Sequence, residues 1–274
     1  MNYIGIRGHR GAGKSTIAYL LGNTINELLR QRKDSYDEPI SELYQTWCDE
    51  IVNNENIIHD VCLDKIYFES FSDTIKIMIK MFLGCPQEFL YSDYHKDHVV
   101  INLRDFTYKV YENIPENIKT YTSKELYECM SNVGNPITIT KNVYITLREF
   151  ILYFGREVMQ RHFGMNVWVK SLKSSQELFT NIFNEEDCYK IYMDVKTPGE
   201  VTYIKNLGGV IIKVVRPGHK KPKGIDRLSQ DNRFDYEVTI GENLYDTINQ
   251  VINIAKDIIT KYNNYGKEET GSKC

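Results

Sequence analysis

The chain has 274 residues, 42% of them apolar and 26% charged, with a formal net charge of −3. That composition suits one large α/β domain, or one domain with an insertion, and supplies enough apolar side chain for a sizeable core. The near-neutral balance excludes a global pull toward nucleic acid or anionic lipid, leaving only local basic patches.

Cysteines at positions 48, 62, 85, 129, 188 and 274 form no C-x-x-C pair, and no His cluster accompanies them. A zinc site or disulfide framework is therefore not expected, and reduced cytosolic thiols are the simpler reading. The start, MNYIGIRGHRG, lacks a signal-peptide apolar region, and no apolar run reaches about 18 residues. A cytoplasmic protein with no membrane partner is expected.

Along the chain, Asn2–Arg7 reads as a strand, followed by a Gly-rich turn and a helix over Ser15–Arg30 whose apolar positions keep a period near 3.6. Arg32–Glu38 is a polar break, and Ser41–Val52 is predicted as a second helix. Lys65–Ser70 alternates as a strand and Ser72–Leu83 reads as a helix. Residues 91 to 143 look irregular and are taken as an insertion or cap. Thr146–Phe163 is predicted as one helix opened by a capping box, Thr146 with Glu149, and closed by Gly164. Then come a helix over Val167–Phe183, a strand over Tyr189–Val195, a short helix over Glu200–Asn206 and a buried-type strand over Val210–Val215. A short strand over Tyr236–Ile240 and an amphipathic helix over Leu244–Tyr262 follow, with Lys267–Cys274 read as a flexible tail. This alternation predicts an α/β fold with a mostly parallel sheet and helices on both faces. A single domain over 1–266 with an insertion at about 91–143 is expected.

Gly8-His9-Arg10-Gly11-Ala12-Gly13-Lys14-Ser15 fits the phosphate-loop pattern G-x-x-x-x-G-K-[ST] between a strand and a helix. Glycines let successive backbone N–H groups turn toward an anion, and the helix that follows presents its positive end to it. ATP binding by residues 8 and 10–16 is expected, with Lys14 on the β- and γ-phosphates, Ser15 on Mg²⁺ and Thr16 near the α-phosphate. Arg10 reads equally well as a solvent-facing loop residue.

Beyond this loop come Phe71-Ser72-Asp73-Thr74-Ile75-Lys76 with Phe82-Leu83-Gly84 and Glu88-Phe89-Leu90-Tyr91, then Thr146-Leu147-Arg148-Glu149-Phe150, Phe154-Gly155-Arg156-Glu157 and Arg161 to Val169. In order and spacing these segments resemble the bacteriophage deoxynucleoside monophosphate kinases. Asp194-Val195-Lys196-Thr197-Pro198-Gly199-Glu200 resembles that family's D-x-R-x-x-x-E strand end, with Lys196 replacing the usual Arg. The run from Gly208 to Gly218 resembles the next strand and turn, and Tyr236 to Asp246 also fits. These segments cover about two thirds of the chain. The resemblance implies a P-loop NTPase three-layer fold and ATP- and Mg²⁺-dependent phosphorylation of a deoxynucleoside monophosphate.

Phosphoryl transfer between phosphates needs positioned cations more than a base. Lys76, Arg148, Arg161 and Lys196 are candidates for the acceptor phosphate; Arg148 is the foremost of them and, with Lys14, a catalytic candidate, while Lys76 and Arg161 have a solvated helix-face charge as their alternative. Arg161 follows Arg148 by 13 residues, about 3.6 turns and roughly 140° around a straight helix, so the two do not naturally serve one phosphate. Asp194, at a strand's carboxyl end, is a candidate catalytic and Mg²⁺-orienting acid, with a turn cap as its alternative. Arg216 opens a basic segment through Arg227 suited to a lid over ATP, or to a plain solvated loop. Glu200 reads as a surface residue or a partner for a cation, and Trp168 as core. A P-loop kinase acting on a modified base in phage DNA and an NTPase or switch without an acceptor stay open as alternatives. Nucleic acid is not the expected partner, and a homodimer stays open.

Overall fold

The computed structural model describes residues 1–9, 11–34, 43, 46, 63, 65–131, 142–180, 188–218 and 233–271. Arg10, the expected helix over Ser41–Val52 and the lid segment beyond Gly218 lie outside the described residues, apart from Leu43 and Thr46. In chain order the strands are β1 (Asn2–Arg7), β2 (Ile66–Glu69), β3 (Val99–Asn102), β4 (Thr107–Val110), β5 (Thr120–Tyr121), β6 (Tyr144–Thr146), β7 (Tyr189–Val195), β8 (Val210–Val215) and β9 (Tyr236–Thr239). The helices are α1 (Lys14–Asp34), α2 (Asp73–Leu83), α3 (Asp93–His98), α4 (Ser123–Ser131), α5 (Leu147–Leu152), α6 (Arg161–Phe163), α7 (Val167–Thr180), α8 (Pro198–Asn206) and α9 (Leu244–Gly271).

The chain forms two compact units, residues 1–71 with 177–274, and residues 72–176. The first is α/β. Its five-stranded sheet has the order β2-β7-β1-β8-β9, and every pairing is parallel. Parallel strands covered on both faces read as apolar runs, as YIGI, YKIYM and VIIKVV do. Ile4, Ile6, Ile191 and Ile212 are fully buried under α1 and α9, which contribute Ile17, Leu20, Ile258 and Ile259. The opposite face carries α8. A Cβ at Gly5 would lie 2.7 Å from both Ile204 Cδ1 and Ile211 Cδ1, so the glycine lets α8 approach the sheet closely. Tyr262 of α9 donates its hydroxyl to the Tyr3 carbonyl at 2.9 Å and ties the last helix to the first strand.

The second unit carries a four-stranded sheet, β4-β3-β6-β5, in which β3 pairs antiparallel with β4 and β6 while β5 and β6 are parallel. The irregular reading of 91–143 is corrected here. Strands of two to four residues are too short to show a period, yet Val99 and Ile101 are fully buried in the core with Ile79, Ile145, Leu147 and Trp168. Trp168 is core, as expected.

The single helix over Thr146–Phe163 is also corrected. It is α5, then a π-helical segment Tyr153–Gln160, then α6. Thr146 caps it, accepting from the Glu149 amide at 3.2 Å. The reciprocal half of the capping box is absent, because the Glu149 carboxylate accepts the Ser123 amide at 2.7 Å and so anchors the start of α4. The last helix is assigned as far as Gly271.

Replacing Ile191 by Ala empties a fully buried position between α1 and the sheet. A loss of about 2–4 kcal/mol is expected from the urea midpoint, since the neighbouring strands cannot close in. A loss below about 1 kcal/mol would place the core elsewhere.

Candidate functional site: a phosphate loop and a cation cluster

The turn after β1 curls over itself. The His9 carbonyl accepts the Ala12 amide at 3.1 Å and the Lys14 ammonium at 3.0 Å. Gly13 caps α1, its carbonyl accepting from the Ile17 amide at 3.0 Å. Gly11 and Gly13 sit at φ 75° and 87°, the left-handed region that side chains avoid. The space for side chains is missing as well. A Cβ on Gly8 would stand 2.7 Å from the Val214 carbonyl of β8, and one on Gly13 would meet Ile240 Cδ1 at 2.5 Å. The loop is thus wedged against the ends of β8 and β9, with Ala12 buried, Thr16 half-buried and Ser15 exposed in the first turn of α1. Arg216 Nη1 approaches the Gly11 carbonyl at 3.5 Å, too long to add much.

Asp194 reaches this loop from β7. Its carboxylate lies 4.0 Å from the Lys14 ammonium and also pairs with Lys196. A register shift explains its aim. Gly5 faces Tyr192 but Arg7 faces Val195, so β7 holds one residue more than β1 across the same span. Met193 points into the core under α1, whereas Val195 lies beside Gly5 on the α8 face. Asp194 is the bulged residue between them, and bulges commonly re-aim a side chain at the edge of a site. The expected acceptor residue Lys196 therefore sits with Asp194 in the first unit.

Glu200 is corrected from a surface residue to a buried cap, 5% exposed. Its carboxylate accepts the Lys196 amide at 2.5 Å and the Thr197 amide at 2.9 Å, completing a capping box with Thr197 on α8. Burial pushes its pKa up to about 7, assisted by the charge of Asp194 and opposed by the two amide bonds.

In the second unit Lys76 and Arg148 come to one place, with three residues that the sequence did not single out, Asp93, Lys96 and Asp97. Lys76 pairs with Asp73 at 3.1 Å and lies over the Tyr91 ring at 3.9 Å from its centre. The Tyr91 hydroxyl donates to Asp73 at 3.2 Å, and the Tyr91 carbonyl accepts from the Lys96 ammonium at 2.9 Å. Arg148 forks onto Asp97 and reaches Asp93 at 3.1 Å. Asp93 and Asp97 lie one turn apart on α3, a spacing that marks one helix face and would have pointed to a cation partner. Arg161 sits with other partners, Glu157 at 2.9 Å and the Tyr127 ring at 3.9 Å.

The Mg²⁺ expectation has an all-oxygen donor set in the Ser15 hydroxyl and the Asp194 carboxylate. That suits a hard cation holding few protein ligands beside phosphates and water. No group of three His, Cys, Asp or Glu side chains arranged for a metal occurs among the described residues. Among those residues no helix is long and apolar enough to cross a membrane.

Glu200 gives a pH signature. Its folded pKa lies above the ordinary 4.5, so the protonated form is favoured by folding. Wild-type stability should therefore fall as pH rises from about 4.5 through about 7. Glu200→Gln keeps the amide acceptor and should remove that fall, read as the difference in melting temperature between the two proteins across pH. Parallel profiles would show that Glu200 does not titrate there. Neither a protein-family model nor a curated protein matches the chain.

Proposed function

We infer that the chain is a P-loop kinase that moves the γ-phosphoryl group of ATP, with Mg²⁺, onto a small phosphorylated acceptor, a deoxynucleoside monophosphate. The observation that carries this reading is the turn after β1, where Lys14 folds back to 3.0 Å from the His9 carbonyl with Asp194 at 4.0 Å. A parallel α/β sheet with this turn at the carboxyl end of a central strand supports a P-loop NTPase fold, since α/β ligands gather at that edge.

In this reading the turn's amides and the N-terminal end of α1 hold the donor's phosphates. Lys14 leaves the His9 carbonyl for the β- and γ-phosphates, and Arg216 flanks the loop. Ser15 and Asp194 would hold the Mg²⁺ ion, which when bound spreads negative charge from the transferring group. Lys196 pairs with Asp194 and helps to aim it. The sequence resemblance to phage deoxynucleoside monophosphate kinases supports the acceptor class, and the cluster of Lys76 and Arg148 supports a second phosphate site. Arg148 serves an acceptor only by exchanging Asp93 and Asp97 for phosphate. Arg161, engaged with Glu157 and Tyr127, is a weaker candidate.

The test is ADP release by the full chain with ATP–Mg²⁺ against each deoxynucleoside monophosphate, ribonucleotide and duplex DNA. Release dependent on one deoxynucleoside monophosphate is expected, and Lys14→Ala should lower it by about 10³-fold with the melting temperature retained. Hydrolysis indifferent to every acceptor would favour an NTPase or switch, and release driven by DNA a DNA-modifying kinase.

A further inference from the structure

We propose that Lys96 is a third phosphate ligand, forming with Lys76 and Arg148 the site that receives the phosphate of the acceptor. The acceptor's identity rests on the kinase reading above, but the anion site stands on the geometry of the second unit alone.

Tyr91 holds the two ammonium groups together. Its ring lies beneath Lys76 and its carbonyl takes Lys96, while Lys96 and Arg148 share Asp93 at 3.4 and 3.1 Å. The arrangement is layered. The three cationic side chains are only 12%, 16% and 19% exposed, whereas Asp93 and Asp97 are 66% and 48% exposed. The cations are packed inward and fixed, and these two carboxylates form a rim that can turn to water. A phosphate monoester entering from solvent displaces the rim and meets a preformed set of donors, including the Arg148 fork.

Lys96 is also set among like charges. Burial above all, partly offset by Asp93 and reinforced by Lys76 and Arg148, brings the Lys96 pKa down to about 8. A bound phosphate dianion reverses this and holds Lys96 charged. Other titratable groups on the packed elements are engaged or exposed. Glu149 accepts from Ser123, His95 stacks on Phe89, His98 stacks on Tyr94, and Glu88 and Tyr94 are exposed. Affinity for a phosphate monoester should therefore be highest above its second ionisation, about pH 6, and fall as pH rises through about 8.

Lysine labelled with ¹³C in the full chain reports the site directly, the Lys96 Cε resonance being assigned by its loss in Lys96→Arg. Titration with inorganic phosphate should move the Lys96 midpoint upward by about one pH unit. Lys96→Met should weaken binding of the accepted deoxynucleoside monophosphate about tenfold, seen as a raised KM with kcat less affected. Lys96→Arg should restore affinity and flatten its dependence between about pH 7 and 9, because guanidinium stays charged. A Lys96 resonance indifferent to phosphate, or a Lys96→Met protein with unchanged KM, overturns the site. If phosphate moves Lys96 but no acceptor supports ADP release, the anion site holds and the kinase reading fails. If transfer proceeds with KM unchanged in Lys96→Met, the kinase reading holds and the site fails.

Discussion

Pairing of β1 with parallel strands on both sides is the constraint from which the glycine loop at residues 8 to 15 follows. A central strand flanked by β7 and β8 has its backbone groups committed to neighbours along its length, so the chain is free to turn only at the strand's end. There it meets the Val214 carbonyl so closely that only glycine fits at position 8, and Ile240 so closely that only glycine fits at 13. The left-handed backbone at Gly11 and Gly13 then rolls the amides inward, and α1 starts at Lys14. The neighbouring strand contributes its acid through one extra residue. Without the bulge at Asp194, alternation would carry that side chain away from the loop or turn Val195 off the α8 face.

Charge at both ends of the proposed chemistry is held in reserve rather than left bare. Lys14 is satisfied by a carbonyl and a nearby carboxylate, Asp194 by two lysines, and Arg148 by two aspartates. The pairs that Arg148 makes end on exposed carboxylates, and pairs with such partners contribute little to stability, roughly 0–1 kcal/mol. They are therefore readily exchanged for a phosphate, which offers more acceptor oxygens and more charge. Glu200 differs in kind. It is buried, its partners are backbone amides, and it fixes the angle at which the chain leaves β7.

The sequence was most legible where local and global preferences coincide. Tyr189–Val195 and Val210–Val215 are apolar runs in a doubly covered sheet, and their predicted bounds match the structure. The glycine pattern of residues 8 to 15 specifies a backbone path that few other turns share. Legibility failed where meaning lies in partners far along the chain. Strands as short as Thr120–Tyr121 have no period of their own and exist through Tyr144 and Ile145. Glu149 carried the right signature for a capping box, but the Ser123 amide claimed its carboxylate. Lys96 was invisible because its significance depends on Arg148, distant in sequence, sharing Asp93. Glu200 looked like a surface acid although Thr197 three residues before it has the capping-box spacing; what the spacing does not show is that the cap is buried.

The π-helical stretch Tyr153–Gln160 sets the azimuth of everything downstream of it. The Arg161 amide reaches back five residues to the Arg156 carbonyl, so the wide turns hold more residues than α-turns of the same height. A straight α-helix is the wrong ruler for this stretch, and angles counted from Arg148 along such a helix do not carry through to Arg161. Forcing all eight residues of the stretch into narrower α-turns would rotate α6 about the helix axis. The Arg161 guanidinium would leave the Tyr127 ring, and the tight approach of Gly155 to Ile75 would be lost. Chain length and helix type in this segment are thus coupled, and a related sequence one residue shorter there keeps this packing only with narrower α-turns in place of the wide ones.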